Sequence, residues 1–218
     1  MKTRLLLLSC LTAVVGSASA ATVLTASKDT YIDTNVPTTN FGSATTMVSN
    51  DSGARDRIAF FSFDITTFAG TATGVKLDLR DNAGNAGTKT YDIYGLIDSE
   101  DGWNESTVTW NTATFRSGST IDLTKVYGGA KLGSFNTAQN ALFTAFDVTS
   151  GAYLDFINAD ANNIVTFVII DPSTDTAGTG WATKETTTLP AATLTLVPEP
   201  SAALLGSLGL LALLRRRR

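Results

Sequence analysis

The sequence contains no histidine and a single cysteine, Cys10, and this decides most of the chemistry open to it. Ser-His-Asp and Cys-His catalysis need an imidazole base, and zinc and copper sites draw on imidazole or thiolate ligands. Carboxylates and oxygen-ligated metals are what remain. The densest acidic stretch is Asp98-Ser99-Glu100-Asp101-Gly102-Trp103-Asn104-Glu105. A glycosidase sets two carboxylates across a sugar at roughly 5 to 10 Å, one with its proton affinity raised by burial. Adjacent acids on one loop do not meet that geometry. Calcium binds through carboxylate and amide oxygens, so Asp98, Glu100, Asp101 and Asn104 are the candidate metal ligands, and Ca2+ is the one cofactor the residues suggest. The stretch lacks the Asp-x-Asp-x-Asp-Gly of an EF-hand loop, and a plain solvated loop is the alternative.

Aromatic side chains are the other possible site-makers. The axial C–H faces of a pyranose pack flat on an exposed ring, with a few polar groups to orient the sugar. Trp103, Trp110 and Trp181 are candidates, as are Tyr31, Tyr94 and Tyr127. Trp110 follows Thr107-Val108-Thr109 in strand-like alternation, which favours core packing there. Trp103 and Trp181 stand beside Gly102 and Gly180 and are open to either role.

The elements that must position these residues read as strands. Val75-Lys76-Leu77-Asp78-Leu79-Arg80 alternates apolar and charged residues for three periods, which puts Val75, Leu77 and Leu79 on one buried face. Ile58–Ile65, Tyr91–Ile97, Thr107–Trp110, Thr120–Leu123, Leu142–Val148, Ile164–Ile170 and Ala192–Val197 are further short runs rich in β-branched and aromatic residues. Ile164–Ile170 is apolar on both faces and is expected to be a central strand. Asp81-Asn82-Ala83-Gly84-Asn85-Ala86-Gly87 and Asp171-Pro172-Ser173 carry turn chemistry. Ser150–Ala161 alone has a helical stripe, through Tyr153, Leu154, Ile157 and Ala161. Strands about every ten residues predict a β-sandwich or barrel with one short helix.

The two ends of the chain carry address-like features. Met1-Lys2-Thr3-Arg4, the apolar run Leu5–Val15 and Ala18-Ser19-Ala20 make the charged, apolar and cleavage regions of a secretory signal peptide over residues 1–20. Cleavage after Ala20 removes Cys10, so the fold of the remainder must rest on its core. At the other end Pro198-Glu199-Pro200 precedes an uncharged run, Ser201–Leu214, and then Arg215-Arg216-Arg217-Arg218. At about 1.5 Å per residue that run covers roughly 21 Å as a helix, short of the ~30 Å hydrocarbon core, which suits a transient anchor better than a permanent one. The arrangement over residues 198–218 resembles the PEP-CTERM sorting signal of Gram-negative bacteria. That resemblance implies signal peptidase and exosortase as processing partners, a transient stay in the inner membrane, and a final place at the cell surface or outside the cell. It also makes the glycosylation sequon Asn104-Glu105-Ser106 accidental. Without these ends, residues 21–197 hold 10 basic and 19 acidic groups, a net charge of −9. Such a domain is repelled by phosphate backbones, which argues against nucleic acid as a partner.

Between the ends, six stretches recur in a familiar order: Asp29-Thr30-Tyr31-Ile32-Asp33, Thr39-Asn40-Phe41-Gly42-Ser43, Arg57 to Ile65, Trp103 to Asn111, Phe146-Asp147-Val148-Thr149, and Trp181-Ala182-Thr183-Lys184-Glu185. In this the body, residues 21–197, resembles the DNRLRE-domain proteins and carbohydrate-binding module family 96. The resemblance implies a jelly-roll-like β-sandwich that binds polysaccharides such as alginate without catalysing a reaction. A −9 domain can hold an anionic polymer only through a local basic patch, so Arg55, Arg57 and Lys184, with Trp181, are the candidate ligand-binding residues. A purely structural or adhesive matrix protein and a carbohydrate-active enzyme are the alternatives.

Overall fold

A computed structural model of the protein describes residues 20–83, 88–174 and 177–200. The expected signal peptide up to residue 19, and the apolar run with its arginines at residues 201–218, lie outside them. In chain order the described elements are β1 (Thr22–Thr25), β2 (Lys28–Asp33), β3 (Thr46–Asp51), β4 (Asp56–Asp64), β5 (Ala72–Ala83), β6 (Thr90–Gly95), β7 (Arg116–Ser117), β8 (Thr120–Ile121), β9 (Gly133–Asn136), β10 (Leu142–Val148), α1 (Ala152–Ala159), β11 (Ile164–Ile170), β12 (Thr179–Ala182) and β13 (Thr193–Pro198). No helix among the described residues is long and apolar enough to cross a membrane.

Every pairing is antiparallel. β5 lies between β13 and β10, with β1 beyond β13, and these four strands make one sheet. The second runs β2, β4, β11, β6, β9. β12 and β3 join them along one side, since β12 pairs with both β5 and β3, and β3 continues onto the start of β4. Val75, Leu77, Leu79, Leu194 and Leu196 of the first sheet meet Phe61, Phe63, Tyr91, Phe167 and Ile169 of the second in one apolar cluster. The body is therefore an all-β sandwich with one short helix, and Ala21–Pro198 forms one compact unit.

The alternation in β5 is realised as expected. Val75 and Leu77 face inward opposite Leu196 and Leu194, while Lys76 and Asp78 pair on the outside at 2.9 Å. β11 is buried on both faces, and the sequence explains why. Val165, Phe167 and Ile169 enter the inter-sheet core; Val168, with Ile58 and Phe60 of β4, points the other way, under Val108, Trp110, Phe115 and Val126 from the long segment between β6 and β9. Thr166 bridges to Ser62 of β4 hydroxyl to hydroxyl at 2.7 Å, so the polar atoms enclosed between those layers are satisfied.

Several expectations are corrected. Thr107–Trp110 is not a strand but a chain of turns, with the Val108 amide donating to the Asn104 carbonyl at 2.9 Å. Val108 and Trp110 are buried because this segment lies on the outer face of the second sheet, so their alternation reflects burial without pairing. Asp81-Asn82-Ala83 belongs to β5 and not to a turn, because Asp81 pairs with Trp181 and Asn82 Nδ2 donates to Thr46 Oγ1 at 2.6 Å. The helix is shorter than its apolar stripe suggested: Asp160 turns to extended backbone, Ala161 is exposed, and Phe156 is buried with Tyr153, Leu154 and Ile157. Pro198 is the last residue of β13, buried opposite Ala72 after a bulge at Val197, a place where a missing N–H costs little.

Candidate functional site

The first basic group is set by strand register. Asp33, at the end of β2, lies opposite Arg57 of β4 and is fully buried. Its Oδ2 accepts from Arg55 Nε at 2.8 Å and Arg57 Nε at 2.9 Å, and its Oδ1 from the Asn35 amide at 2.9 Å. Arg55 Nη2 adds a further bond to Oδ2. Burial alone would push the Asp33 carboxyl up, but these donors outweigh it and hold it below the ordinary carboxylate value. Both guanidinium groups thus serve a carboxylate of the fold, with the Arg55 side chain 38 % and the Arg57 side chain 21 % exposed. Beside them the half-buried Tyr31 and Phe41 stack at 4.2 Å. Arg57 also lines a cleft of about 250 Å³ with Asn50, Asp92, Tyr94 and Asp171, at the end of β4 and β11. The acids there are engaged: Asp92 with Lys131 at 2.9 Å and Asp171 with Lys89 at 2.5 Å.

Trp181 does not stand with the arginines as a surface platform. It is 0 % exposed and meets Tyr91 edge-on at 5.0 Å, because β12 closes the side of the sandwich and turns this side chain inward. Trp110 is core, as its alternation suggested. Trp103 is half-buried, edge-on to Phe60 at 4.7 Å, with the Lys28 ammonium 4.4 Å above its ring. It borders a cleft of about 340 Å³ floored by Val108, Ala113 and Phe115. Lys28 Nζ also ties this loop to β2, donating to the carbonyls of Asp101 at 2.9 Å and Trp103 at 3.0 Å.

The four expected metal ligands are divided. Glu100 is drawn away by Lys125 at 2.5 Å and by the Thr114 hydroxyl, and Asn104 Oδ1 caps its own turn through the Ser106 amide at 2.9 Å. Asp98 and Asp101 do come together, but with Asp160, their carboxylate oxygens within 4.8 Å of one another. Asn162 Nδ2 donates to both oxygens of Asp101 at 3.0 and 3.1 Å. Burial, with Asp98 and Asp101 adding repulsion, raises the Asp160 carboxyl to about 6 against the hydrogen bond it accepts from the Asn163 amide. Asp160 lies some sixty positions along the chain from its partners, and the only sequence signal was the polar run Asp160-Ala161-Asn162-Asn163 directly after the helix.

A second carboxylate cluster was not anticipated. Asp29 of β2, Glu105 of the long loop and Glu185 beyond β12 also bring one oxygen each within 4.8 Å. The Asp29 amide donates to Glu105 Oε1 at 2.7 Å, and Asp29 Oδ2 accepts from the Lys184 amide at 2.8 Å. Lys184 Nζ pairs with Glu105 Oε2 at 2.8 Å and with Glu185, so this lysine is bound within the fold and does not present a free charge to a ligand. Burial pushes the Asp29 carboxyl up to about 8; the Lys184 amide opposes this, and the adjoining Glu185 carboxylate adds to it. Asn40 braces the same place, donating to the carbonyls of Glu105 at 2.7 Å and Val108 at 2.8 Å. A Cβ on Gly42 would lie 2.1 Å from the Glu105 carbonyl, so that close approach requires glycine. Four of the six recurrent stretches, those holding Asp29, Asn40 and Gly42, Glu105, and Lys184 with Glu185, therefore converge around Glu105. This gives a physical reason for their appearing together.

An all-β sandwich whose motifs lock three loops to one edge strand defines a class of compact β-modules more than it defines a reaction. The sequence profile of carbohydrate-binding module family 96 matches residues 20–197, and the chain belongs to that family. No curated protein matches it.

Proposed function

We propose that this protein is an exported, non-catalytic module that binds polysaccharide at the cell surface or in the extracellular matrix. The observation that carries the reading is the family match, which spans residues 20–197 and so the whole sandwich. The cleft at the end of β4 and β11 is the binding surface we favour, because Arg57 and the half-buried Tyr94 line it together with Asn50. A ring wall with convergent polar groups is the usual make-up of a sugar site. The lysine partners of Asp92 and Asp171 leave these acids tied as ion pairs, which suits recognition better than proton transfer. With a net charge of −9 and both arginines committed to Asp33, a neutral glycan is favoured over a uronate polymer.

Delivery rests on the ends of the sequence. Residues 1–20 act as a signal peptide for signal peptidase, and residues 198–218 act as a PEP-CTERM signal that passes through the inner membrane and is cut by an exosortase near Pro198-Glu199-Pro200. The jelly-roll-like topology implied by the resemblance belongs to the same reading. Affinity electrophoresis through gels containing a neutral glucan, pectin or alginate tests the binding: retardation by the glucan that Tyr94→Ala and Arg57→Ala abolish in folded protein is the expected result. Protein that no glycan retards would instead support a structural matrix role, which the pairing of Arg55, Arg57 and Lys184 with acids of the fold favours. Mass spectrometry of the surface-released protein tests delivery, and finding Arg215–Arg218 still attached would refute it.

A further inference from the structure

We propose that Asp29, Glu105 and Glu185 form a binding site for a divalent cation of the calcium class, which fastens β2, the 98–115 loop and the segment after β12 to one another. One carboxylate oxygen from each residue lies within 4.8 Å of the other two. That is the widest spacing two oxygens can have on one calcium ion at about 2.4 Å each. Proximity of acids alone would not make a site. Here Asp29 is 1 % exposed and its Oδ1 has no hydrogen-bond donor, and Glu185 Oε2 is likewise buried without one. Two enclosed acceptors with nothing to accept from are costly unless a proton or a cation lies between them.

The charges that face the cluster are Lys184, which pairs with Glu105 and Glu185, and Lys28, whose ammonium is held by the Asp101 and Trp103 carbonyls. Three ionised carboxylates outnumber the two ammonium groups, so the cluster is left net negative, as a cation site requires. Glu105 need not give up its present bonds, because each carboxylate oxygen has two lone pairs and only one is used by the Asp29 amide or by Lys184.

The test is calcium titration of the chelator-treated full chain by calorimetry, with melting curves alongside. At calcium a hundredfold above Kd, the melting temperature is expected to rise by about 5–10 °C. Asp29→Asn and Glu185→Gln should each weaken binding at least tenfold, Asp98→Asn should leave it unchanged, and magnesium should shift the melt less than calcium. Should Asp29→Asn fail to fold, Glu185→Gln decides alone. Wild-type protein with neither calcium heat nor a melting shift, a shift that survives both substitutions, or one lost only in Asp98→Asn would overturn the assignment.

Discussion

Asp29, Glu105 and Glu185 on the one hand, and Asp98, Asp101 and Asp160 on the other, bring three carboxylates equally close in entirely different surroundings. The second trio belongs to two neighbouring loops, with Asp98 exposed and Asp101 satisfied by the Asn162 amide. The first is assembled from an edge strand and two distant loops, and it encloses oxygens that no donor reaches. Acid density along the sequence pointed to Asp98, Glu100, Asp101 and Asn104, and of these only Asp98 and Asp101 enter the second trio, with the distant Asp160. The fold places the more demanding electrostatics where single acids from three motifs meet. Acids crowded on one loop find local partners, as Asp101 does in Asn162 and Glu100 in Lys125, whereas isolated charges that converge at a buried point call for a counter-charge.

The pH dependence of stability separates the two most widely. In calcium-free buffer Asp29, near 3.8 when unfolded and about 8 in the fold, keeps a proton that the unfolded chain has lost. Stability therefore falls as pH rises from about 4 to about 8, by up to about 1.4 kcal/mol per unit for one proton. Asp160 acts with the same sign, but its fall is finished near pH 6. The slope between pH 6 and 8 should vanish in Asp29→Asn and persist in Asp160→Asn; a slope indifferent to Asp29→Asn would erase the distinction.

Glu105→Ala comes next. It strips the Asp29 amide of its acceptor and Lys184 of a partner, both partly buried, and should cost roughly 2–4 kcal/mol in urea denaturation. Asp101→Ala removes a buried carboxylate, but its partner, the amide of the exposed Asn162, is readily rehydrated, and about 1–2 kcal/mol is expected from the same measurement. Asp98→Ala should fall within about 0.5 kcal/mol, since this exposed side chain accepts only a 3.3 Å contact from the Ala161 amide. If Asp98→Ala proved costlier than Glu105→Ala, the ranking of the two clusters would be reversed.

What could be read without coordinates follows the same division. β5, β10 and β11 were legible because their apolar residues recur every second position or fill both faces, a pattern local to each strand. β1, β2, β3, β9 and β12 were passed over: short segments rich in Thr, Asp, Ser and Gly become strands through the partner they find, as Thr46–Asp51 does between β12 and β4. Trp181, beside Gly180, was open to either role, and its burial was decided by β12 filling the gap between the sheets. Arg55 and Arg57 were recognised as a pair, but Asp33, the acid that holds both, stands more than twenty positions upstream, where no spacing rule points. Asp29, Glu105 and Glu185 lay inside recurrent stretches, so their importance was visible and their meeting was not.

The pairing of β1 with β13 also sets a timetable. Thr22 lies opposite Leu196, and among the described residues β13 is the one strand against which β1 pairs. At synthesis rates of about 5–20 residues per second, the first strand waits roughly 10–35 s for the last, and β5 stays open on its β13 side for most of that time. During this interval the first sheet cannot close over Leu77 and Leu79. Because β13 lies in the interior of its sheet, between β1 and β5, closure of that sheet is delayed until nearly the whole body has been made. Synthesis that stops short of Thr193 would leave β1 without its pairing strand and β5 open along its β13 side.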